Sequence, residues 1–449
     1  MERRRMRFIL VPMGSAGDVH PLVWMARLLR ARGHEVSMVV QAVVAEMAER
    51  AGIRHVAVGD KSEQESVVRN PDIWDPKRAF DLIAHYMPIY AREMYGALEA
   101  EVAGCTEMPV MIGGTIAYAA RILADRRNVP LLTVHLQPMT LMSAVDLPVM
   151  LAGCEWMRGL PLWARRAFMN IGNWKVDKVL GRPLAALRRE MGETGASAKN
   201  IMREWGHSPD GILCTFPEWY ARKAPDWPAQ AHVTRFPLYD EGAVMEEDPE
   251  LEAFLRAGPP PVVITPGSAN ALAARFLREG AEACKRAGLR GLLVTRFPEQ
   301  VPGGVGGAGG LPETIRFFKY VPFGRIFPRA GAVVHHGGIG TTAQCLAAGV
   351  PQLVMPMAHD QPDNAARVKA MGVGENVYPK KFTAERVAEV LRELMGSEGV
   401  RAACARRREM VAGQMTEGEM GELIEGLSER AIVRRAGSKG ARHQEETGG

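Results

Sequence analysis

Short apolar runs that end in glycine-rich turns recur along this chain, each followed by a segment with helical patterning. Phe8–Val11 leads into Gly14-Ser-Ala-Gly-Asp18. Pro21 then suits a first helical turn, and Leu22–Arg32 is amphipathic. Glu35–Val40 returns as a strand, Val43–Ala51 reads as a helix and Ile53–Val58 as a third strand. Runs this short, separated by helices, bury both faces best in a parallel sheet covered on each side. The predicted class is α/β.

The rhythm continues at Pro109–Gly113 and Val129–His135, breaks over 136–210, and resumes at Gly211–Thr215. The break gathers Trp156, Trp163, Trp174 and Trp205 with Met139, Met142, Met150, Met157 and Met169, and reads as helices with apolar faces. Tyr239–Glu250 is polar, Gly258-Pro-Pro-Pro261 is stiff, and a second alternation starts at Val262. A chain of 449 residues exceeds one ordinary core. The expected division is one Rossmann-like domain over 1–240 and another over 241–430, whose last helices can pack back on the first. Residues 431–449 are expected to form a disordered tail.

The bulk numbers exclude several classes. Charged residues at 24% and hydrophobic residues at 47% fit a globular protein. A net charge of +5 is small for this length and does not point to nucleic acid. The six cysteines form no CxxC pair, so neither a zinc ribbon nor a disulfide scaffold is implied. The apolar run after MERRRMR is too short for a signal peptide, and no window is long enough to span a bilayer. A cytoplasmic protein is expected. Arg3–Arg5 is the one hint of membrane contact, peripheral at most.

Two motifs carry chemistry. In VVHHGGIGTTAQCLAAGVPQLVMPMAHDQPDNA, residues 333–365, an apolar strand delivers a glycine turn that opens a helix at Thr341. Backbone N–H groups and the helix dipole there suit a phosphate or diphosphate. His336 and Thr341 add side-chain donors. The spacing lacks the GxGxxG fingerprint and the lysine of a P-loop. Further along, Asp360 and Gln361 suit sugar hydroxyls, with Asn364 one turn on the same face. In GSAGDVHP, residues 14–21, Asp18 and His20 follow the first strand, where open α/β sheets bind ligands. Either can take a proton from a bound hydroxyl; Asp18 is equally a helix cap.

Together these motifs resemble the GT-B fold glycosyltransferases that use nucleotide-activated sugars, over nearly the whole chain. The likeness is greatest to UDP-glycosyltransferase-like bacterial enzymes that glycosylate antibiotics, and extends to rhamnosyltransferases of glycolipids. The resemblance implies two Rossmann-like domains facing across a cleft. It implies inverting transfer of a hexose from a UDP- or dTDP-sugar, used as co-substrate, to a small hydrophobic or lipid-like acceptor. It makes Asp18 the base ahead of His20. His336, Gly338, Gly340 and Thr341 match the diphosphate cradle, Gln344 the ribose position, Asp360 and Gln361 the sugar pair, and Gly267 and Ser268 the first donor loop. Tyr320-Val-Pro-Phe323 stands where plant relatives have Trp-x-Pro-Gln, which leaves the backbone of Val321 to meet the base.

No DxD sits at a strand end, so no metal is implied and no bound cofactor is expected. His135, Met139, Met142, Met150 and Trp156 are the candidates for an apolar acceptor wall. Two alternatives stay open from residues alone: a nucleotide-sugar epimerase, and a non-catalytic nucleotide-sugar-binding accessory protein.

Overall fold

Two wholly parallel sheets organise the chain. In this computed structural model residues 4–75, 78–193, 199–243, 245–304 and 311–447 are described. Arg3 of the basic start and the last two residues of the expected tail lie outside them. The first sheet holds β1 (Arg7–Val11), β2 (Glu35–Gln41), β3 (Arg54–Val58), β4 (Val110–Gly114), β5 (Leu131–His135), β6 (Ile212–Cys214) and β7 (Ala231–Val233). Its order is β3-β2-β1-β4-β5-β6-β7. The second holds β8 (Val262–Thr265), β9 (Gly291–Val294), β10 (Ile315–Phe318), β11 (Ala332–His335), β12 (Gln352–Val354) and β13 (Gly374–Asn376), in the order β10-β9-β8-β11-β12-β13. Every residue of β8 and β11 is buried, as strands covered on both faces require.

Helices cover both sheets. Around the first are α1 (Ala16–Ala31), α2 (Ala45–Arg50), α3 (Lys61–Arg69), α4 (Ala79–Ala103), α5 (Tyr118–Arg127) and α6 (Leu162–Glu190). The second half carries α7 (Pro249–Arg256), α8 (Ala274–Ala287), α9 (Phe323–Ile326), α10 (Ile339–Ala348), α11 (Gln361–Ala370), α12 (Ala384–Gly396) and α13 (Glu398–Ala412). A last helix, α14, spans Glu417–Thr447. The longest element in the break in the strand rhythm is α6, a helix of 29 residues.

Both sheets reverse strand order beside their first strand, between β1 and β4 and between β8 and β11. Such a reversal opens a crevice at the carboxyl ends of the strands, where α/β proteins bind ligands. Gly14–Asp18 leaves β1 there, Gly267 and Ser268 leave β8, and His336–Gly338 leave β11. Both glycine motifs therefore sit at the two switch points.

The chain crosses between the halves twice. The first crossing follows β7; in the second, after α13, the chain returns to the first half. The two crossings are bonded to each other: Phe236 N–H donates to Gln414 Oε1 (3.0 Å) and Arg235 Nη1 to Met415 O (3.0 Å). Met420, Ile424 and Leu427, at helical spacing on α14, are buried in the core formed by Phe8, Leu22, Trp24 and Leu29. Glu425 receives a fork from Arg32 at 2.6 and 2.8 Å and lies 2.8 Å from His34 Nε2. The Arg32 bonds chiefly hold its carboxyl down to about 2. The helix does not stop at 430. Ala431 is buried, and Arg434 and Arg435 both reach the buried carboxylate of Asp210. Burial of that face, together with the ion pairs, keeps this stretch of the expected tail helical.

Candidate active site

Asp18 is the third residue of α1, and its Oδ2 accepts from Ser15 N (2.8 Å) and Ser15 Oγ (3.0 Å). This is a capping box, so the helix-cap role is real. A Cβ on Gly14 would sit 2.5 Å from that oxygen, and Gly14 has φ +120. Glycine is therefore what lets the loop close over the carboxylate. Desolvation lifts Asp18 above the usual carboxylate range, and the Ser15 bonds partly offset it.

His20 lies elsewhere. Two residues along a helix is about 200° around it, so its ring leaves on the far side from Asp18. Nε2 is 3.1 Å from Oε1 of Glu241, a buried residue just past the first crossing, which also pairs with Arg50 at 2.9 Å. The ring packs edge-on against Tyr239. The histidine expected beside the reaction is instead fastened to the crossing.

The donor-side cradle is built by close approach. A Cβ on Gly267 would lie 2.5 Å from His336 Cε1, and one on Gly338 would lie 2.5 Å from its Nε2. The imidazole is clasped between two glycines, and Gly267 also has φ +85. Gly337 is needed too: φ is +95 and a Cβ would meet Val354 at 2.8 Å. Gly340 is different, because a Cβ there meets nothing within 4 Å. Nδ1 of His336 is buried without a partner among the described residues. Burial, with His359 nearby, holds the ring down to about 4, so it is neutral at pH 7 and carries one N–H donor. Thr341 lies in the first turn of α10 and Gln344 one turn later, both nearly buried. Ser268 is half-buried beside Gly267. Val321 is a core side chain packed with Val294, Phe318 and Val333, so only its backbone remains for a ligand.

The loop after β12 brings Asp360 to the start of α11. His359, just before it, has φ 60, a strained value for a non-glycine residue. Asp360 keeps an open edge. The protein around its carboxyl nonetheless pushes its pKa up to about 7, mainly by desolvation and next by the charge of Asp18. The two acids, one from each half, are within electrostatic reach across the cleft. Gln361 turns its Oε1 back to Met357 N (2.8 Å) and Ala358 N (3.2 Å), which leaves its amide nitrogen to donate. Asn364 is engaged at both ends of its amide: it donates to Gly337 O (2.8 Å) and Asp360 Oδ2 (2.7 Å) and accepts from Tyr220 OH (2.8 Å). It positions Asp360 and the glycine turn with both of its N–H donors, and only a second lone pair on Oδ1 is left over.

The acceptor candidates scatter. His135 is buried, with Nδ1 3.1 Å from Thr115 Oγ1 and its ring edge-on to His207, so it is walled in. Burial keeps its pKa well below the ordinary histidine value. Met142 fills a small cluster with Ala144, Leu147 and Met169, a packing role. Met139 and Met150 are half-buried. Trp156 stands in solvent.

Sequence reasoning missed Asp363. Its side chain is fully buried on α11. Oδ1 accepts from Val149 N (3.0 Å) and Arg158 Nη2 (2.6 Å), and Oδ2 from Arg367 Nε (2.8 Å). This ties the 145–158 segment to the donor-side helix. The signal was an acid sandwiched between motif residues Gln361 and Asn364.

Residues 8–145 match the glycosyltransferase family 28 N-terminal domain, and residues 293–427 the erythromycin biosynthesis protein CIII-like C-terminal domain. The chain is 30% identical over 424 residues to an O-mycaminosyltylonolide 6-deoxyallosyltransferase of Streptomyces fradiae, covering 91% of this chain and 94% of that one. Among solved structures, the glycotransferase of kitacinnamycin superposes with a TM-score of 0.69 at 21% identity, covering 94% of this chain and 99% of the other. A spinosyn rhamnosyltransferase complexed with thymidine diphosphate gives a TM-score of 0.65 at 18% identity, covering 94% of this chain and 100% of its own. These two share the fold.

Proposed function

The chain belongs to the nucleotide-sugar-dependent glycosyltransferases of the GT-B fold, and from that premise we propose inverting transfer of a hexose from a UDP- or dTDP-sugar to a hydroxyl of a small hydrophobic or lipid-like acceptor. The dTDP option is supported by the thymidine diphosphate in the spinosyn enzyme. A natural-product acceptor is supported by the name of the Streptomyces relative.

In this reading the diphosphate lies at the start of α10, against backbone N–H groups, the helix dipole and the one N–H of neutral His336. Asp360 and the Gln361 amide meet the sugar. The acceptor oxygen attacks the anomeric carbon from the side opposite the diphosphate. Its new bond to carbon forms as the bond from carbon to the phosphate oxygen breaks. The nucleoside diphosphate leaves with the electron pair, and the acceptor proton passes to Asp18. A raised pKa makes Asp18 a stronger base than an exposed carboxylate.

The observation that carries the reading is that Asp18 caps the glycine turn after β1, while Asn364 bonds Asp360 to the glycine turn after β11, so that each switch point carries one acid. Asp18→Asn tests it. Donor affinity, measured calorimetrically with the nucleoside diphosphate, is expected to stay within a few-fold. The transfer rate is expected to fall by about 10²–10⁴. Unchanged transfer removes Asp18 as the base.

A further inference from the structure

Core-forming residues stand in solvent along α6. Trp163 is 74% exposed, Trp174 59% and Ile171 56%. Trp163 and Trp174 are eleven residues apart, about three helical turns, so they share one line, and Ile171 lies beside it. The opposite face of α6 is accounted for: Met169 packs on Met142 and Leu147, while Leu180, Leu184 and Leu187 join the core under α4 and α5. The tryptophans therefore form the face of α6 turned away from its core contacts.

Charge on this face is of one sign. Arg166 flanks the tryptophan line on one side; Lys175, Lys178 and Arg182 flank it on the other, and all four are exposed. Lys178 Nζ lies 5.3 Å from the centre of the Trp174 ring. None of the four makes an ion pair among the described residues. The one acid between Trp163 and Arg182 is Asp177. It is spent on the backbone, accepting from Asn200 N (2.8 Å) and Ile201 N (3.0 Å). The arginines at the chain start are not comparable: Arg4 lies 3.7 Å from Glu107 and Arg5 3.9 Å from Glu35.

We propose that the outer face of α6 docks on an anionic bilayer surface. Indole rings favour the boundary between headgroups and acyl chains, and a flanking row of cations meets anionic headgroups. A second copy of this chain fits less well, because a two-fold contact through the tryptophan line would bring the lysine rows together. No helix among the described residues is long and apolar enough to cross a membrane, so the contact is one of lying on the surface.

Flotation of the full chain with vesicles tests this independently of sugar transfer. Phosphatidylcholine vesicles with phosphatidylglycerol should carry the protein, pure phosphatidylcholine should not, and high salt should release it. Trp163→Ser with Trp174→Ser, and separately Lys175→Glu with Lys178→Glu, should each weaken partition by about tenfold or more without changing the circular-dichroism melting curve. Absence of binding to the anionic vesicles overturns the proposal, as does undiminished binding by both variants. A dimer in sedimentation velocity that the tryptophan variant dissolves, with no vesicle binding, overturns it in favour of self-association.

Discussion

Arg158 reaches across from the segment before α6 to Asp363 on α11, with Nη2 2.6 Å from Oδ1. Arg158 also donates through Nε to Leu147 O at 2.9 Å, so one side chain ties the fold of the 145–158 segment to the donor side. Asp363 keeps Arg367 when Arg158 is lost. Arg158→Ala should therefore cost only about 1–2 kcal/mol of stability. Its larger effect should be on the acceptor: a rise in acceptor KM with little change in donor KM. Steady-state kinetics with each substrate varied checks this.

Ser15 tunes the proposed base. Its hydroxyl and amide both donate to Asp18 and lower a pKa that burial raises. A base must be ionised, so the rate falls as pH falls through its pKa. Ser15→Ala removes the hydroxyl bond alone. The acid limb of the kcat/KM profile should move to higher pH, and the rate on the alkaline plateau should persist. A profile unmoved by this substitution would separate the limb from Asp18.

Gly267→Ala puts a methyl group into the His336 ring and forces an unfavourable φ. The strain is on the order of 1–2 kcal/mol. Donor KM should rise at least about tenfold as the imidazole is displaced. Adding His336→Ala should recover the part of the melting temperature lost to the clash, but not the part lost to φ, and leave donor binding poor. The double-mutant cycle measures the coupling.

Asp360 makes stability depend on pH in a defined direction. Its pKa is about 7 in the folded protein against an ordinary 3.8. Between those values the folded state holds a proton that the unfolded state gives up, so this group's contribution falls as pH rises. Asp360→Asn removes that decline. The ligand-free variant should match the wild type near pH 4 and exceed it above pH 7 by on the order of a few kcal/mol, while losing transfer. His336 works the other way below 6.5, so melts of both proteins must be compared at each pH.

The parallel sheets and the two glycine turns were legible because their signals are local. A strand run, the turn that ends it and the helix that follows lie within about thirty residues. What was not legible depended on distant partners. His20 and Glu241 are separated by 221 positions, and Tyr220 and Asn364 by 144. Motif position alone thus could not show that His20 is paired with Glu241 or that the Asn364 donors are held by Gly337 and Asp360. Trp163 and Trp174, taken from the sequence as part of an apolar helix face, stand in solvent because large aromatics mark a core only when a partner covers them. The helical stretch beyond 430 was missed because Asp210, which holds Arg434 and Arg435, is remote in sequence.

The paired crossings between the halves have a kinematic consequence. A single connecting strand leaves two bodies free to swivel about its own axis as well as to bend. Here Phe236 and Arg235 in one crossing are bonded to Gln414 and Met415 in the other. Swivelling would shear those bonds, whereas folding about the line they share leaves them intact. The joint is a door hinge in kind, and Asp18 and Asp360 sit on its two leaves. Opening that joint would part Arg158 from Asp363 and Tyr220 from Asn364, so these two bonds latch the leaves beside the acids.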